Sequence, residues 1–433
     1  MSDLEPCGRP IWDAPAGVDQ VRVCLMHSHD RGKDQREFWK EIDAILQSKS
    51  RHHRPTDRFD FKKFVFIEAR FRNTWFGNST TFLDATFLGN AYFYEVRFLH
   101  EAIFTGAVFS QVAFWETTFG GDAYFINANF AESAEFSYIL FLGVADFNGA
   151  VFKEPARVVF SHVNEQGDPS GVSRFGLPGP VQRDPPGLRA RLVRCQLQGV
   201  RFEDVNWNRR NGRLVLEDEM DLGGNSPWSY EAVADAYSRL VSNFQKSRQF
   251  SLAEDCFIGE MEMRRRNPKT FLLAGFPRMQ SIYEKYRTPR WFGEKLSVTN
   301  MYQLLSNYGS SYTRAFIVLC AILLAFGLLF PVLDLRMSAA SAVQAACPLS
   351  APGSPQAATI SWSCALAHPQ RSRQLWGTLK AGLLASAETA TFQKTRMIEP
   401  ATSSCKVAEI AESVIVPGQL ALFLLALRRR LRR

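Results

Sequence analysis

The chain has 433 residues, a formal net charge of +8 and 46% hydrophobic residues, a length that calls for two or three folding units. It contains no Gly-rich phosphate loop, no HExxH and no Ser-His-Asp order, so no enzyme is expected. Its 35 Phe and eight Cys need separate explanations, and the opening "MSDLEPCGRP" is polar, which leads us to expect most cysteines reduced in the cytosol.

Residues 1–58 read as a capping module. Cys7, Cys24, His27 and His29 are zinc-ligand types, and the CxxH of Cys24 and His27 is half of a zinc site. The alternative is a reduced cysteine with surface histidines. In "DQREFWKEIDAILQ", Phe38, Ile42, Ile45 and Leu46 share one helical face, as expected of a helix closing the end of the element that follows.

From Phe82, phenylalanines fall at 82, 87, 93, 98, 104, 109, 114, 119, 125, 130, 136, 141, 147 and 152. The steps of five or six fit neither a helix nor a strand. A small or β-branched residue precedes most of them by two positions, as at Ala85, Ala91, Val96, Ala102 and Ala107. One large and one small apolar residue per unit is a solenoid pattern. "FDFKKFVFIEARFRNTWF" supplies a lead-in coil, and Leu192, Leu197, Phe202 and Trp207 supply a late one. Between them, "SHVNEQGDPSGVSRFGLPGPVQRDPPG" reads as an ejected loop.

Over residues 59–207 the chain resembles the pentapeptide-repeat family. The resemblance implies a right-handed quadrilateral β-helix with a large residue at the centre of each face. The extra residue in alternate steps departs from a strict five-residue repeat. Between Phe82 and Phe152 the outer surface carries Asp84, Glu95, Glu101, Glu116, Asp122, Glu132, Glu135 and Asp146 against Arg97. Such an acidic surface attracts a basic protein partner, and some members of the family mimic DNA this way; solubility alone is the simpler account. Direct nucleic-acid binding is not expected.

Residues 228–296 form a helical connector. Val233, Tyr237, Leu240, Val241 and Phe244 make one stripe, and Leu252, Cys256, Phe257 and Met261 another, which predicts a helical hairpin turning near Arg248–Ser251. "AEDCFIGEMEMRR" resembles the connector of a bacterial subgroup of pentapeptide-repeat membrane proteins. Ten Lys or Arg against two Glu lie between Arg264 and Arg314.

Residues 297–433 contain two apolar stretches, 315–333 and 407–427, long enough to cross a bilayer. Basic residues before the first and "RRRLRR" after the second put both termini in the cytosol by the positive-inside rule, in a cell (inner) membrane. Cys347 and Cys364, in the Ala/Ser/Pro-rich stretch between the spans, pair if that compartment is oxidising. Gly377, Ala381 and Ala385, and Gly382, Ser386 and Ala390, recur every fourth residue, which lets helices approach closely.

The order span, re-entrant segment (375–400), span resembles a two-span cation-channel subunit, most specifically in the last twenty-five residues. The resemblance implies an oligomer, a tetramer if channel-like. Thr391, Phe392, Gln393, Lys394 and Arg396 would line the re-entrant loop. The stretch Thr391–Pro400 has no Gly and carries two cations, so no potassium filter is expected. A nonselective or anion-tolerant pore, a signal-gated pore and a non-conducting anchor all remain open. Glu409 and Glu412 are intramembrane acidic candidates, either facing water or pairing with Lys394, Arg396 or Lys406.

Overall fold

The computed structural model describes residues 9–15, 18–19, 22–50, 58–154, 158–162, 187–222, 227–267, 298–337, 359–367, 371–391 and 398–431. The chain divides into two compact units, Met1–Pro268 and Lys269–Arg433. The ejected loop of the solenoid lies mostly outside the described residues, at 163–186, and so do Cys7, Cys347 and the basic stretch 269–297.

The first unit is a β-solenoid of about four turns over residues 59–160. Its short strands pair in parallel from coil to coil, as in Thr80↔Ala102 and Ala102↔Ala123. The phenylalanines form four columns, one per face. Phe61, Phe82, Phe104, Phe125 and Phe147 stack on the first face at 4.8–5.0 Å between centroids. Phe66 to Phe152 stack on the second, Phe71 to Phe202 on the third, and Phe76 to Phe141 on the fourth. The ring spacing equals the spacing of paired strands, so each coil places its rings directly on those below. Ala85, Ala91, Ala102 and Ala107, two residues before each Phe, are fully buried and leave room for the rings.

The six-residue steps have two structural causes. Phe76→Phe82, Phe98→Phe104, Phe119→Phe125 and Phe141→Phe147 all cross the corner between the fourth and first faces, which takes one more residue in every coil. Phe87→Phe93 and Phe130→Phe136 carry the extra residue in alternate coils, where the ladder register shifts between Phe87 and Asn90 and between Phe130 and Ser133. These are β-bulges. At Gly89 a Cβ would stand 2.4 Å from the Ile67 carbonyl oxygen, so only glycine fits there.

Two corners of each coil use left-handed backbone. After the first face these residues are Lys63, Asp84, Gly106, Asn127 and Gly149; after the third they are Asn73, Glu95, Glu116 and Tyr138. Asp and Asn alternate with Gly in the first set for a steric reason. The Asp84 carboxylate occupies the space where Gly106 would carry a Cβ, 2.3 Å away.

Helix α1 (Gln35–Ser50) closes the first coil. Phe38 meets Phe66 edge-on at 5.4 Å, and Trp39 meets Phe71 at 5.6 Å. Ahead of it, Lys33 is buried and donates to the carbonyls of Leu25, Ser28 and Val65. Burial pushes its amine down to about 8.

A late coil stacks at the other end: Arg189–Arg191 pairs with Val144–Asp146, Arg201–Glu203 with Val159–Ser161, and Leu188 bridges Trp207. Helices α2 (Glu217–Asp221), α3 (Tyr230–Lys246) and α4 (Phe250–Arg266) follow. The open edge of this coil presents carbonyls that must be satisfied. Asn243 donates to Leu197 and Val200, Gln249 to Phe202 and Arg239 to Cys195, while Phe244 covers Trp207 at 5.9 Å. The stripe of α3 packs as its periodicity indicates. That of α4 is rotated: Ala253, Cys256, Gly259, Glu260 and Met263 are buried, whereas Leu252, Phe257 and Met261 are only half-buried. The cause is Gly259, which packs on the Tyr237 ring so closely that a Cβ would stand 2.7 Å from it.

In the second unit, α5 (Val298–Ser306) precedes α6 (Tyr312–Leu329), which ends in a 3-10 turn at Phe330–Val332. After α7 (Trp362–Ala367) come α8 (Arg371–Ala390) and α9 (Ser403–Leu431). Strand Leu335–Met337 pairs antiparallel with Thr359–Ile360 on one side and Ile398–Pro400 on the other. Residues 312–332 and 403–428 are helical, long and apolar enough to cross a membrane.

Candidate functional site

In the second unit α6 and α9 run antiparallel. Thr402 donates to the Leu333 carbonyl at one end, and Gln419 donates to the Ala315 carbonyl at the other, at 2.8 Å. Helix α8 runs antiparallel to α6 and packs on its C-terminal half. A Cβ on Gly382 would stand 2.0 Å from the Gly327 carbonyl oxygen, and one turn later the Ser386 hydroxyl lies 3.2 Å from the Leu323 carbonyl oxygen. Helix α8 therefore ends alongside the middle of α6. By Ile398 the chain is back in the small sheet at the end of α6 where α8 began its descent. Of the segment between, Thr391 is described; Phe392, Gln393, Lys394 and Arg396 lie outside the described residues.

Ala381 and Ala385 bury against Phe330, Leu335, Ile398, Cys405 and Ala408, as small residues at four-residue spacing require. Gly382→Val is expected to destabilise this unit by about 1–3 kcal/mol through overpacking, read as a lower melting temperature of the full-length protein in detergent. Gly418→Ala, where nothing stands within 4 Å of a Cβ, is expected to leave it unchanged or slightly higher.

Glu412 lies on α9, and two of the partners expected for it, Lys394 and Arg396, lie outside the described residues. Glu412 is fully buried between α8 and α6 and bonds to the Ser386 hydroxyl. Glu409, one turn earlier, is half-buried in a shallow pocket with Thr389, Ile398, Pro400 and Cys405. The apolar side chains that face outward include those of Ile317, Leu324, Val407, Ile410 and Val414, the last 70% exposed. Cys364 is disulfide-bonded; the partner expected from the sequence, Cys347, lies outside the described residues.

The acidic residues of the solenoid do not form one stripe. Glu95 and Glu116 stand at the corner after the third face. Glu101 and Asp122 flank the other edge of the fourth face, and Asp122 accepts the Val144 N–H. Glu132 sits at a bulge, bonded to Ser110 and Gln111, and Glu135 accepts from Ser137. Asp146 is not on the surface at all: it is buried and paired with Arg191 at 3.3 Å. Its carboxyl is raised by that burial.

The third face also carries an aromatic ladder that residue types alone did not reveal. Tyr92 meets Tyr94 at 5.4 Å, Tyr94 meets Trp115 at 5.9 Å and Trp115 meets Tyr138 at 6.0 Å. Around the corner, Arg97 lies over Trp75, which is 59% exposed. The repeat register contained the signal for Tyr92, Tyr94, Trp115 and Trp75, which flank an inward Phe and so point out, whereas Tyr138 stands at the left-handed corner two residues after Phe136.

In the first module, Cys24 Sγ and His27 Nδ1 are 3.1 Å apart, while His29 pairs with Asp19 at 3.4 Å. Among the described residues no group of three metal-ligand types converges, and Cys7 lies outside them.

Residues 93–140 and 104–151 match the family described as pentapeptide repeats (9 copies). No curated protein and no solved structure matches the chain. The matched residues lie within the four-column solenoid, so the chain carries a pentapeptide-repeat domain, followed by two helices able to span a membrane.

Proposed function

We propose that the chain is a two-span membrane protein in which the solenoid is a cytosolic docking domain and the second unit, as an oligomer, builds a channel-like pore around residues 391–397. The observation that supports this most is the course of α8, which descends to the middle of α6 and returns to the sheet it left. In lipid, a helix that ends at that depth with its last carbonyls unpaired needs a water-filled cavity or protein around it. Lys394 and Arg396 would make the pore anion-tolerant rather than potassium-selective. The docking face is the ladder Tyr92, Tyr94, Trp115 and Tyr138, since Trp, Tyr and Arg dominate binding energy at interfaces. Glu95 and Glu116 at its edge favour a basic protein partner. Zinc at the first module is not needed in this account.

The test is ion flux from vesicles carrying the full-length protein. Wild type should pass anions, and Lys394→Gln with Arg396→Gln should shift permeability toward cations. No flux, with or without a partner bound to the solenoid, would favour the second reading, a membrane-anchored scaffold that conducts nothing. The absence of Gly from Thr391–Pro400 supports that reading. A DNA-mimic role, by contrast, predicts that duplex DNA competes with the chain for its basic partner.

A further inference from the structure

The Ser386 hydroxyl has two acceptors within reach and one proton to give. It lies within hydrogen-bond distance of the Leu323 carbonyl oxygen, at 3.2 Å, and of Glu412 Oε1. A serine hydroxyl donates once and accepts through its lone pairs. Both contacts are therefore hydrogen bonds only if one of them supplies its own proton, and a carbonyl cannot. Glu412 can, if its carboxyl is protonated. The chain then runs from the Glu412 O–H to Ser386 Oγ, and from the Ser386 O–H to the Leu323 carbonyl, joining α9 to α8 and α8 to α6.

The second carboxyl oxygen points to the same state. Glu412 is 0% exposed, and its Oε2 has no hydrogen-bond partner. As the carbonyl oxygen of a neutral acid this costs little. As half of a carboxylate it would be a buried charge with a single hydrogen bond, which is strongly unfavourable. Among the described residues, the neighbouring elements supply no counter-charge; Lys394 and Arg396 lie outside them. The titratable residues described there are Tyr302 on α5, Cys320 on α6, Glu388 on α8, Cys405 and Glu409 on α9 itself and Glu399 on the adjoining strand. No Lys or Arg occurs from Ala315 to Leu329, from Ala381 to Ala390, from Ile398 to Pro400, or in α5. Lys380 lies earlier on α8, over the Trp376 ring at 5.6 Å, and Lys406 is exposed.

We propose that Glu412 is a proton-binding site whose bound proton locks α8 against α6 and α9, so that losing the proton releases α8. The ligand is the proton, and no other co-reactant is needed: release transfers it to water and leaves a carboxylate that only hydration can stabilise. This deepens the pore reading and rests on it for its consequence, because α8 carries the loop proposed to line the pore.

The experiment is infrared absorption of the full-length protein in lipid nanodiscs, wild type against Glu412→Gln, combined with hydrogen exchange of α8 across pH. The glutamine has the same size and can donate to Ser386 Oγ in place of the acid. At pH 7 the difference spectrum should show a carboxylic-acid carbonyl band in wild type that the variant lacks. On alkalinisation that band should disappear as the amides of α8 lose protection about tenfold or more, while the variant keeps its protection. Ser386→Ala provides a reading independent of the folding of Glu412→Gln: it should shift the frequency of the acid band, since its hydrogen bond is gone. Only carboxylate bands for Glu412 at pH 7 would overturn the inference. So would loss of the acid band with α8 protection unchanged. The band reads protonation whether or not the vesicles conduct, so a silent pore and an unprotonated Glu412 are separate failures.

Discussion

Truncating Phe104 to alanine is expected to destabilise the solenoid by about 3–5 kcal/mol. Its ring lies between Phe82 and Phe125, at 4.9 and 5.0 Å, and meets Phe93, Phe98 and Phe114 edge-on at 5.6–5.9 Å. The column stacks by direct overlap, so a missing ring opens a cavity that no neighbour can fill without leaving its own coil. Because each coil touches only the coils beside it, the loss should be greatest in the coil of Phe104 and those on either side. Hydrogen exchange of the full-length protein reads this directly: protection should fall most over residues 82–125. Trp75→Ala, at an exposed outward position on the fourth face, should change protection by less than about 0.5 kcal/mol. Equal effects from the two substitutions would contradict the inward-column account.

A second large effect concerns pH. Asp218, in α2, is fully buried and accepts the Leu192 N–H of the late coil at 2.7 Å. Burial pushes its carboxyl up to about 7, with Asp146 nearby adding to the rise and the bonds from Leu192 and Asn148 opposing it. The folded state therefore binds a proton, between the ordinary carboxylate range and pH 7, that the unfolded state has released. Stability falls with pH wherever the folded state binds more protons. This group's contribution is thus fully retained below about pH 4 and lost progressively as pH rises to 7, by up to about 4 kcal/mol over that window. Asp218→Asn keeps an acceptor for Leu192 and removes the titration. The difference in unfolding free energy between variant and wild type should grow in the variant's favour from pH 4 to pH 7 and level off above. A difference that does not change with pH would overturn the assignment.

Much of the first unit was legible in the sequence because its signal is local and repeated. The phenylalanine series and the small residue two positions ahead of each already state which side chains point inward. The meaning of the six-residue steps was not legible. Whether an extra residue widens a corner or makes a bulge depends on the strand beneath, and only the pairing of Phe87–Asn90 with Phe109–Gln111 separates the two. The caps divide in the same way. Phe38 and Ile42 follow from helical periodicity, whereas Asn243, Gln249 and Arg239 act on carbonyls more than forty residues away.

In the second unit, apolar length was enough to mark 315–333 and 407–427, which fall almost wholly within the helical stretches 312–332 and 403–428. The four-residue spacing of small residues anticipated the close approach of α8 to α6 at Gly382 and Gly327. The contact that Glu412 makes with Ser386 was not legible for a physical reason: an acid near lipid has several ways to avoid its cost. Which one it uses depends on whether a hydroxyl such as that of Ser386 stands opposite, which is a matter of helix register.

The claim beneath the functional account is that the chain crosses the membrane twice, with both termini on one side. The most direct measurement places a short epitope tag near residue 354 in one version of the full-length protein and at the C-terminus in another. Antibody access is then compared in intact and permeabilised cells. The account predicts that the tag near 354 is reached in intact cells and that the C-terminal tag is reached only after permeabilisation. Both tags reached only after permeabilisation would contradict it, and residues 312–332 and 403–428 would then have to be read as helices that do not cross.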